Sequence, residues 1–306
     1  MFQSMPEFLL YDGLRAAGHT VIPFSTESFP LQRFDIFHCH HYSHIFHYLS
    51  VIKRFPLVFT PHNPFVFSPD YQLERRDRFA LKRADGVVVL SNLEKQVYSG
   101  ILKTPEKVHV IPNGLKVDLY EKPDRLKSRL ILGIPEDRIV VLFVGQLLPY
   151  KGLEYLFKAI KGLDTILVVK SHYNLKLNYY KSLAPKNTIF VTDTLSQKEL
   201  TDLYYSCDIY CQPSLAEALP TVITEAMMCG RPIVATRVGG VPEQVDEECG
   251  FLVQSRNAQQ LRECLRLLAE DDALRGCLGK NARERALRVY TQEQMVEKHI
   301  ELYTDL

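Results

Sequence analysis

The chain is punctuated by short, nearly continuous apolar runs. They fall at residues 34–38, 56–60, 86–90, 108–112, 138–145, 165–170, 188–192, 209–212 and 232–236. Runs of this length without a polar alternation predict strands buried on both faces, as in parallel sheets. Between them lie stretches of helical period. Ser91 to Glu94 and Ser196 to Glu199 have the spacing of capping boxes at helix starts, and Thr291 to Gln294 opens a last helix over 291–303. Further amphipathic helices are expected over 257–269 and 272–288. Strands alternating with helices in both halves predict two doubly wound, Rossmann-like α/β domains whose facing sheet ends make a cleft. Residues 116–135 are polar, contain prolines and hold no sustained strand, so they read as the connection. The division expected is 1–117, 118–290 and a C-terminal helix over 291–306.

The opening departs from this rhythm. Residues 5–17 read as an amphipathic helix stopped by Gly18, followed by a strand over 19–24. A domain of this type ordinarily starts on its central strand. A first strand is therefore missing, and it is expected upstream, because an unpaired buried ladder is costly.

Composition narrows the class. The chain has 306 residues, 46% of them hydrophobic and 24% charged, in keeping with about two globular domains. A net charge of +1 provides no field favouring nucleic acid. The 7 cysteines form no CxxC pair and read as small core residues in a reducing compartment. No apolar run is long enough to span a bilayer, and no secretory signal pattern opens the chain. The expectation is a cytoplasmic protein, or one peripheral at the inner face of the membrane. Nothing in the pattern points to an oligomeric state.

The most informative stretch is 213–230, PSLAEALPTVITEAMMCG. A buried strand leads into a tight loop, and a helix begins near Pro220 and closes on Gly230. Such a helix start offers unpaired N–H groups and the positive end of the dipole, a natural seat for a phosphate or diphosphate. Glu217 on the loop and Glu225 in the helix would flank that anion as acceptors for sugar hydroxyls. Lys151, at the turn after residues 138–145, is a plausible partner for a diphosphate. The turn 238–243 (VGGVPE) is a second, weaker candidate for a phosphate or sugar contact.

Glu217-x7-Glu225, the following AMMCGRPIVAT and then VGGVPE resemble the donor-site signature of retaining glycosyltransferases of family 4. The likeness extends from about Thr20 onward and is sharpest from Phe143 to Val253. It implies the GT-B fold, with the last helix crossing back to the first domain. It implies transfer of a hexose-type sugar from a UDP- or GDP-sugar to a hydroxyl of a lipid-linked or saccharide acceptor, with retention and without a metal or other cofactor. Lys151 and the backbone near Leu219, Pro220, Thr221 and Val222 would take the leaving diphosphate. Glu225 would hold ribose and Glu217 a sugar hydroxyl. Relatives carry an arginine five positions before the lysine, where this chain has Gln146. They also carry a Gly-Gly loop near the start and a Gly-Asp-Gly-Pro turn, where this chain has Lys170-Ser-His172.

Histidines concentrate at 38–47, where His38, His40, His41, His44 and His47 stand within ten residues. No carboxylate-bearing zinc motif accompanies them. They read as a strand end and a following helix facing the cleft, and no metal is expected. His62 follows a strand in TPHNP, at the sheet end where ligands bind. The resemblance puts such a histidine beside the donor sugar, and a hydrogen-bonded turn histidine is the competing reading. Residues 73–84 form a basic helix with Arg75, Arg76, Arg78, Lys82 and Arg83. With Lys53 and Arg54 it offers either a patch for an anionic membrane surface or a solvated face.

Three other functions share features of this pattern. A retaining glycoside hydrolase also uses two carboxylates, but needs neither Lys151 nor a phosphate-binding helix start. A nucleotide-sugar 2-epimerase shares the architecture, but its histidine-centred pattern is missing. A degenerate glycosyltransferase, binding a nucleotide sugar or a partner without catalysis, draws support from Gln146 and the missing first strand.

Overall fold

The structure is a computed structural model. It describes residues 6–23, 34–41, 49–51, 55–62, 73–120, 125–131, 133–172 and 176–306. Two all-parallel sheets organise these residues. The first contains β1 (Phe37–His40), β2 (Leu57–Thr60), β3 (Gly86–Val89) and β4 (Val108–Val110), hydrogen-bonded in that order. The second contains β5 (Ile139–Val144), β6 (Thr165–Lys170), β7 (Thr188–Val191), β8 (Ile209–Gln212), β9 (Ile233–Thr236) and β10 (Gly250–Val253). Its order is β10-β9-β8-β5-β6-β7. From β5 the chain moves outward to β6, and from β8 it moves outward in the opposite direction to β9. The carboxyl ends of β5 and β8 therefore meet at the switch point, where open α/β sheets bind ligands.

Burial on both faces explains the continuous apolar runs. Val140, Leu142 and Val144 of β5 join one core cluster, while Val141 and Phe143 join the cluster on the other face. A third cluster, including Leu57, Phe59, Val87 and Val89, fills one side of the first sheet.

The helix Gln292–Thr304 ties the start of the chain to its end. It opens on a capping box in which Thr291 and Gln294 satisfy each other's backbone. It packs against the helix Pro6–Ala16, and Gln292 Nε2 donates to the carbonyl of Leu9 at 2.6 Å. Its far end reaches the first sheet, where Tyr303 Oη lies 2.6 Å from His38 Nδ1. Just before the helix, Leu115 N donates to Tyr290 O at 2.8 Å and Gln292 N donates to Leu115 O at 2.9 Å. Gly114 makes that crossing possible, because a Cβ there would lie 2.2 Å from the Thr291 carbonyl.

Three expectations need correction. Residues 19–23 form no strand, and Phe24 lies outside the described residues. The polar connection holds a helix, Arg125–Ile131, where only linker was expected. Its Arg129 is fully buried. The guanidinium donates to the carbonyls of Ser206, Pro135, Glu136 and Arg138 and pairs with Asp208, so the polar composition reflects an anchored helix rather than a solvated tether. The strand β10 went unrecognised, because its four residues begin with glycine and only its first and last are buried.

Candidate active site

Two loops meet at the switch point. The loop after β5 passes through Gln146 into a short 3-10 turn at Pro149–Lys151 and reverses at Gly152, whose φ is +69°. The loop after β8 carries Pro213 to Pro220. Their backbones touch: Leu215 N donates to Tyr150 O at 2.6 Å, and a Cβ on Gly152 would lie 1.9 Å from the Pro213 carbonyl. Only glycine meets both the positive φ and this approach. The contact brings Lys151 to Glu217, with Nζ 2.7 Å from Oε1.

Glu217 is buried and held from three sides. The same Oε1 accepts from Ser214 Oγ at 2.7 Å and Gln212 Nε2 at 3.0 Å, in addition to Lys151. Gln212 Oε1 in turn accepts from Tyr210 Oη at 2.7 Å. A cation and two neutral donors offset the cost of burying this carboxylate.

The helix Thr221–Met228 starts beside this group. Pro220 is its N-cap in extended conformation, one residue before the helix proper, and no side chain caps the first turn. Leu219 and Pro220 are buried, whereas Thr221 and Val222 are half-buried, so the helix start opens to solvent. Glu225 points into a buried pocket of tyrosines. Tyr204 Oη donates to its Oε2 at 2.6 Å and Tyr120 Oη to its Oε1 at 3.3 Å. Burial raises the Glu225 pKa to about 7, although both tyrosine bonds pull it down.

The histidines gather at the carboxyl ends of β1 and β2. His38 is clamped between Tyr303 Oη and Thr60 Oγ1, the latter at 2.7 Å from Nε2. Its ring stacks on His40 at 4.4 Å. His40 Nδ1 lies 3.0 Å from His62 Nε2. Burial pushes His40 down to about 3 and His62 and His299 down to about 4, so the group is uncharged near neutral pH. His62 adopts a left-handed backbone, with φ of +46°, which a non-glycine residue takes at a cost. The sequence reading discounted a metal for want of a carboxylate, yet Glu7 of the first helix lies here, its Oε1 4.0 Å from His62 Nε2. His44, His47, Asn63 and Pro64 lie outside the described residues.

Other candidates take different places. The glycine turn at 238–243 packs against the loop after β8 and, through Glu243, reaches the first half of the chain. Gly240 N donates to Ala218 O at 2.7 Å. Glu243 accepts from Asn92 N at 2.8 Å and Leu93 N at 2.9 Å, at the start of the helix Asn92–Leu102. Ser91 caps that helix as expected, but Glu94 closes on Leu90 N instead of completing the box. Gln146 is half-buried beside the Lys151 turn. In the basic helix Arg75–Arg83, the residues Arg75, Arg76, Arg78, Phe79 and Lys82 are exposed, and Lys53 and Arg54 lie outside the described residues.

The sequence singles out Lys151, Glu217 and Glu225, and the fold sets Gln212, Ser214, Tyr120 and Tyr204 against the two glutamates and Glu7 beside His62. The apolar pattern that marks β8 as buried conceals the hydrogen bonding of its Gln212. The remaining residues are distant in sequence, and only the fold brings them in.

Known proteins resemble this chain in sequence and fold. The description "Glycosyl transferases group 1" matches residues 124–285, and "Glycosyltransferase Family 4" matches residues 26–119. D-inositol 3-phosphate glycosyltransferase of Corynebacterium glutamicum is 29% identical over 89% of this chain and 72% of its own length. MMP alpha-(1->4)-mannosyltransferase of Mycolicibacterium hassiacum is 28% identical over 83% of the chain and 67% of its own length. Among solved structures, Anabaena HepE in complex with UDP superposes with a TM-score of 0.76 at 25% identity, covering 85% of this chain and 75% of HepE. Sucrose-phosphate synthase from Thermosynechococcus elongatus shares the fold, with a TM-score of 0.78 at 24% identity over 89% of this chain and 73% of its own. Two parallel sheets, a switch-point site and a family match across more than half its length converge: this chain belongs to the group 1 glycosyltransferases and has the GT-B fold.

Proposed function

We propose that the chain transfers a hexose-type sugar from a UDP- or GDP-sugar to a hydroxyl of a lipid-linked or saccharide acceptor, with retention at the anomeric carbon. The observation that carries this reading is the meeting of Lys151 and Glu217 beside the uncapped start of the helix Thr221–Met228. A diphosphate at that start would draw on the N–H groups of Thr221 and Val222 and on the Lys151 ammonium, without a bound cation at the phosphates. Lys151 would then shift from Glu217 toward phosphate as negative charge builds on the leaving group. Glu217 keeps Gln212 and Ser214 on Oε1, and its Oε2 is turned to a donor-sugar hydroxyl. Glu225 takes the ribose hydroxyls in exchange for a tyrosine, and His62 lies beside the reacting carbon. The acceptor attacks on the face the diphosphate leaves, and its proton passes to the departing phosphate oxygen. The UDP complex of HepE favours UDP as the nucleotide.

The exposed arginines and Phe79 of Arg75–Arg83 support docking on an anionic membrane surface at the cytoplasmic face. Among the described residues no helix is long and apolar enough to cross a membrane. Cosedimentation with anionic vesicles, lost in the triple charge reversal of Arg75, Arg76 and Arg78, is expected. Unchanged binding rejects the surface.

The test of transfer is nucleotide release from UDP-glucose and GDP-mannose over a panel of glycolipid, saccharide and polyol-phosphate acceptors. The anomeric configuration of the product is read by NMR. Acceptor-dependent release with an α-linked product is expected from an α-linked donor. A β-linked product rejects retention, and no release from any pair rejects the transferase reading.

A further inference from the structure

The cluster at the ends of β1 and β2 has the composition of a metal centre, and nothing in the transfer chemistry above uses it as one. We infer that Glu7, His40 and His62 form a binding site for a zinc-type divalent ion. One ligand atom from each lies within 4.8 Å of the other two. In a tetrahedral zinc centre with bonds of about 2.1 Å, neighbouring ligand atoms stand about 3.4 Å apart. The His40 Nδ1 to His62 Nε2 separation of 3.0 Å and the Glu7 Oε1 to His62 Nε2 separation of 4.0 Å bracket that value. Small side-chain shifts close the set.

The protonation states fit. At 3.0 Å only one of the two facing imidazole nitrogens carries a proton. A tautomer shift that moves that proton to the far nitrogen of its own ring leaves both facing nitrogens with a lone pair for an ion. His41 holds Glu7 from its other side. That bond, His41 Nε2 to Glu7 Oε1 at 3.1 Å, also orients the carboxylate, as outer partners of metal ligands do. His38 fixes the plane of His40 by stacking, and is itself held at both ring nitrogens. Three protein ligands of this kind leave a fourth position for water or another oxygen ligand. Imidazole with a carboxylate selects zinc and its first-row neighbours over magnesium or calcium.

Sequence alone could not propose this site. Glu7 is 33 positions from His40, and only the packing of Pro6–Ala16 beside the sheet brings them together.

The test uses the full chain, stripped with chelator and titrated with Co2+ as a spectroscopic stand-in for Zn2+. Visible d–d bands of a four- or five-coordinate ion are expected, saturating at one equivalent and bleached by one equivalent of Zn2+. His40→Ala abolishes the bands. Glu7→Gln, which keeps the side-chain shape, weakens binding at least tenfold with an unchanged circular dichroism spectrum. His109→Ala, outside the cluster, leaves the titration unaltered. The absence of bands at stoichiometric Co2+, or bands that survive in both His40→Ala and Glu7→Gln, overturns the proposal. No sugar is present in the experiment, so failure of the transferase reading and failure of this one are told apart.

Discussion

Lys151 Nζ lies 2.7 Å from Glu217 Oε1, although the two residues come from loops after different strands. The pair is the point at which the two halves of the switch point touch. Lys151 is also 5.2 Å from the centroid of the Tyr150 ring, so the ammonium is held on two sides. In the transfer proposed above, a cation held this way would be placed in advance for the charge of a departing diphosphate.

Removing either partner leaves a buried charge without its counterion. Lys151→Met is expected to lower kcat/KM for transfer by about 10²–10³-fold, the usual effect of deleting one stabilising group at the leaving charge. It should also lower stability, by roughly 3 kcal/mol at most, since Gln212 and Ser214 still bond Glu217. The double variant Lys151→Met/Glu217→Gln should recover part of that stability without recovering activity. Chemical denaturation of the four members of the cycle measures it.

Glycine at 152 is predicted to be indispensable. Gly152→Ala places a methyl against the Pro213 carbonyl at a φ of +69°. The two loops must separate, and the Lys151–Glu217 contact goes with them. The expected result is a lowered melting temperature together with lost nucleotide binding. Gly100→Ala, which meets nothing within 4 Å, serves as the control.

Acidity should protect this fold near neutral pH. Burial raises Glu225 and Glu94 from 4.5 to about 7. Their folded-state pKa values exceed the unfolded ones, so the stability they contribute is full below pH 4.5. It is lost as pH climbs through 7. Each shift corresponds to something on the order of 3 kcal/mol. In Glu225→Gln the decline between pH 4.5 and 7 should flatten, and the variant should exceed the parent protein in stability at pH 8. Equal slopes in urea unfolding across that range contradict the assignment.

Glu243 links the second half of the chain to the helix Asn92–Leu102. Its carboxylate accepts from two backbone N–H groups and from Asn92 Nδ2 at 2.9 Å. Glu243→Ala should cost about 1 kcal/mol, as loss of a helix-start acceptor does. Hydrogen exchange at Asn92 and Leu93 should accelerate while the amides of β5 keep their protection.

The parallel strands were legible because burial on both faces leaves an unbroken apolar signature, as at Ile209–Gln212 and Thr165–Lys170. The helix starts at Ser196 and Thr291 were legible because a capping box is a local pattern. Lys151, Glu217 and Glu225 stood out as charges at strand and helix ends. What escaped notice depends on contacts between distant residues. Arg129 looks like linker until its carbonyl partners are known, and Gln212 looks like a strand residue until Glu217 is placed beside it. Residues 19–23 carry the look of a strand, yet local pattern alone does not supply the neighbour that a ladder requires.

Nucleotide-sugar binding at the switch point is tested most directly by isothermal titration of the chain with UDP-, GDP- and ADP-sugars, with Lys151→Met and Glu217→Gln alongside. One nucleotide class should bind with a stoichiometry of one, at least tenfold more weakly in each variant. Binding of no donor by a cooperatively folded protein, or binding indifferent to both substitutions, would contradict a donor site built on Lys151 and Glu217.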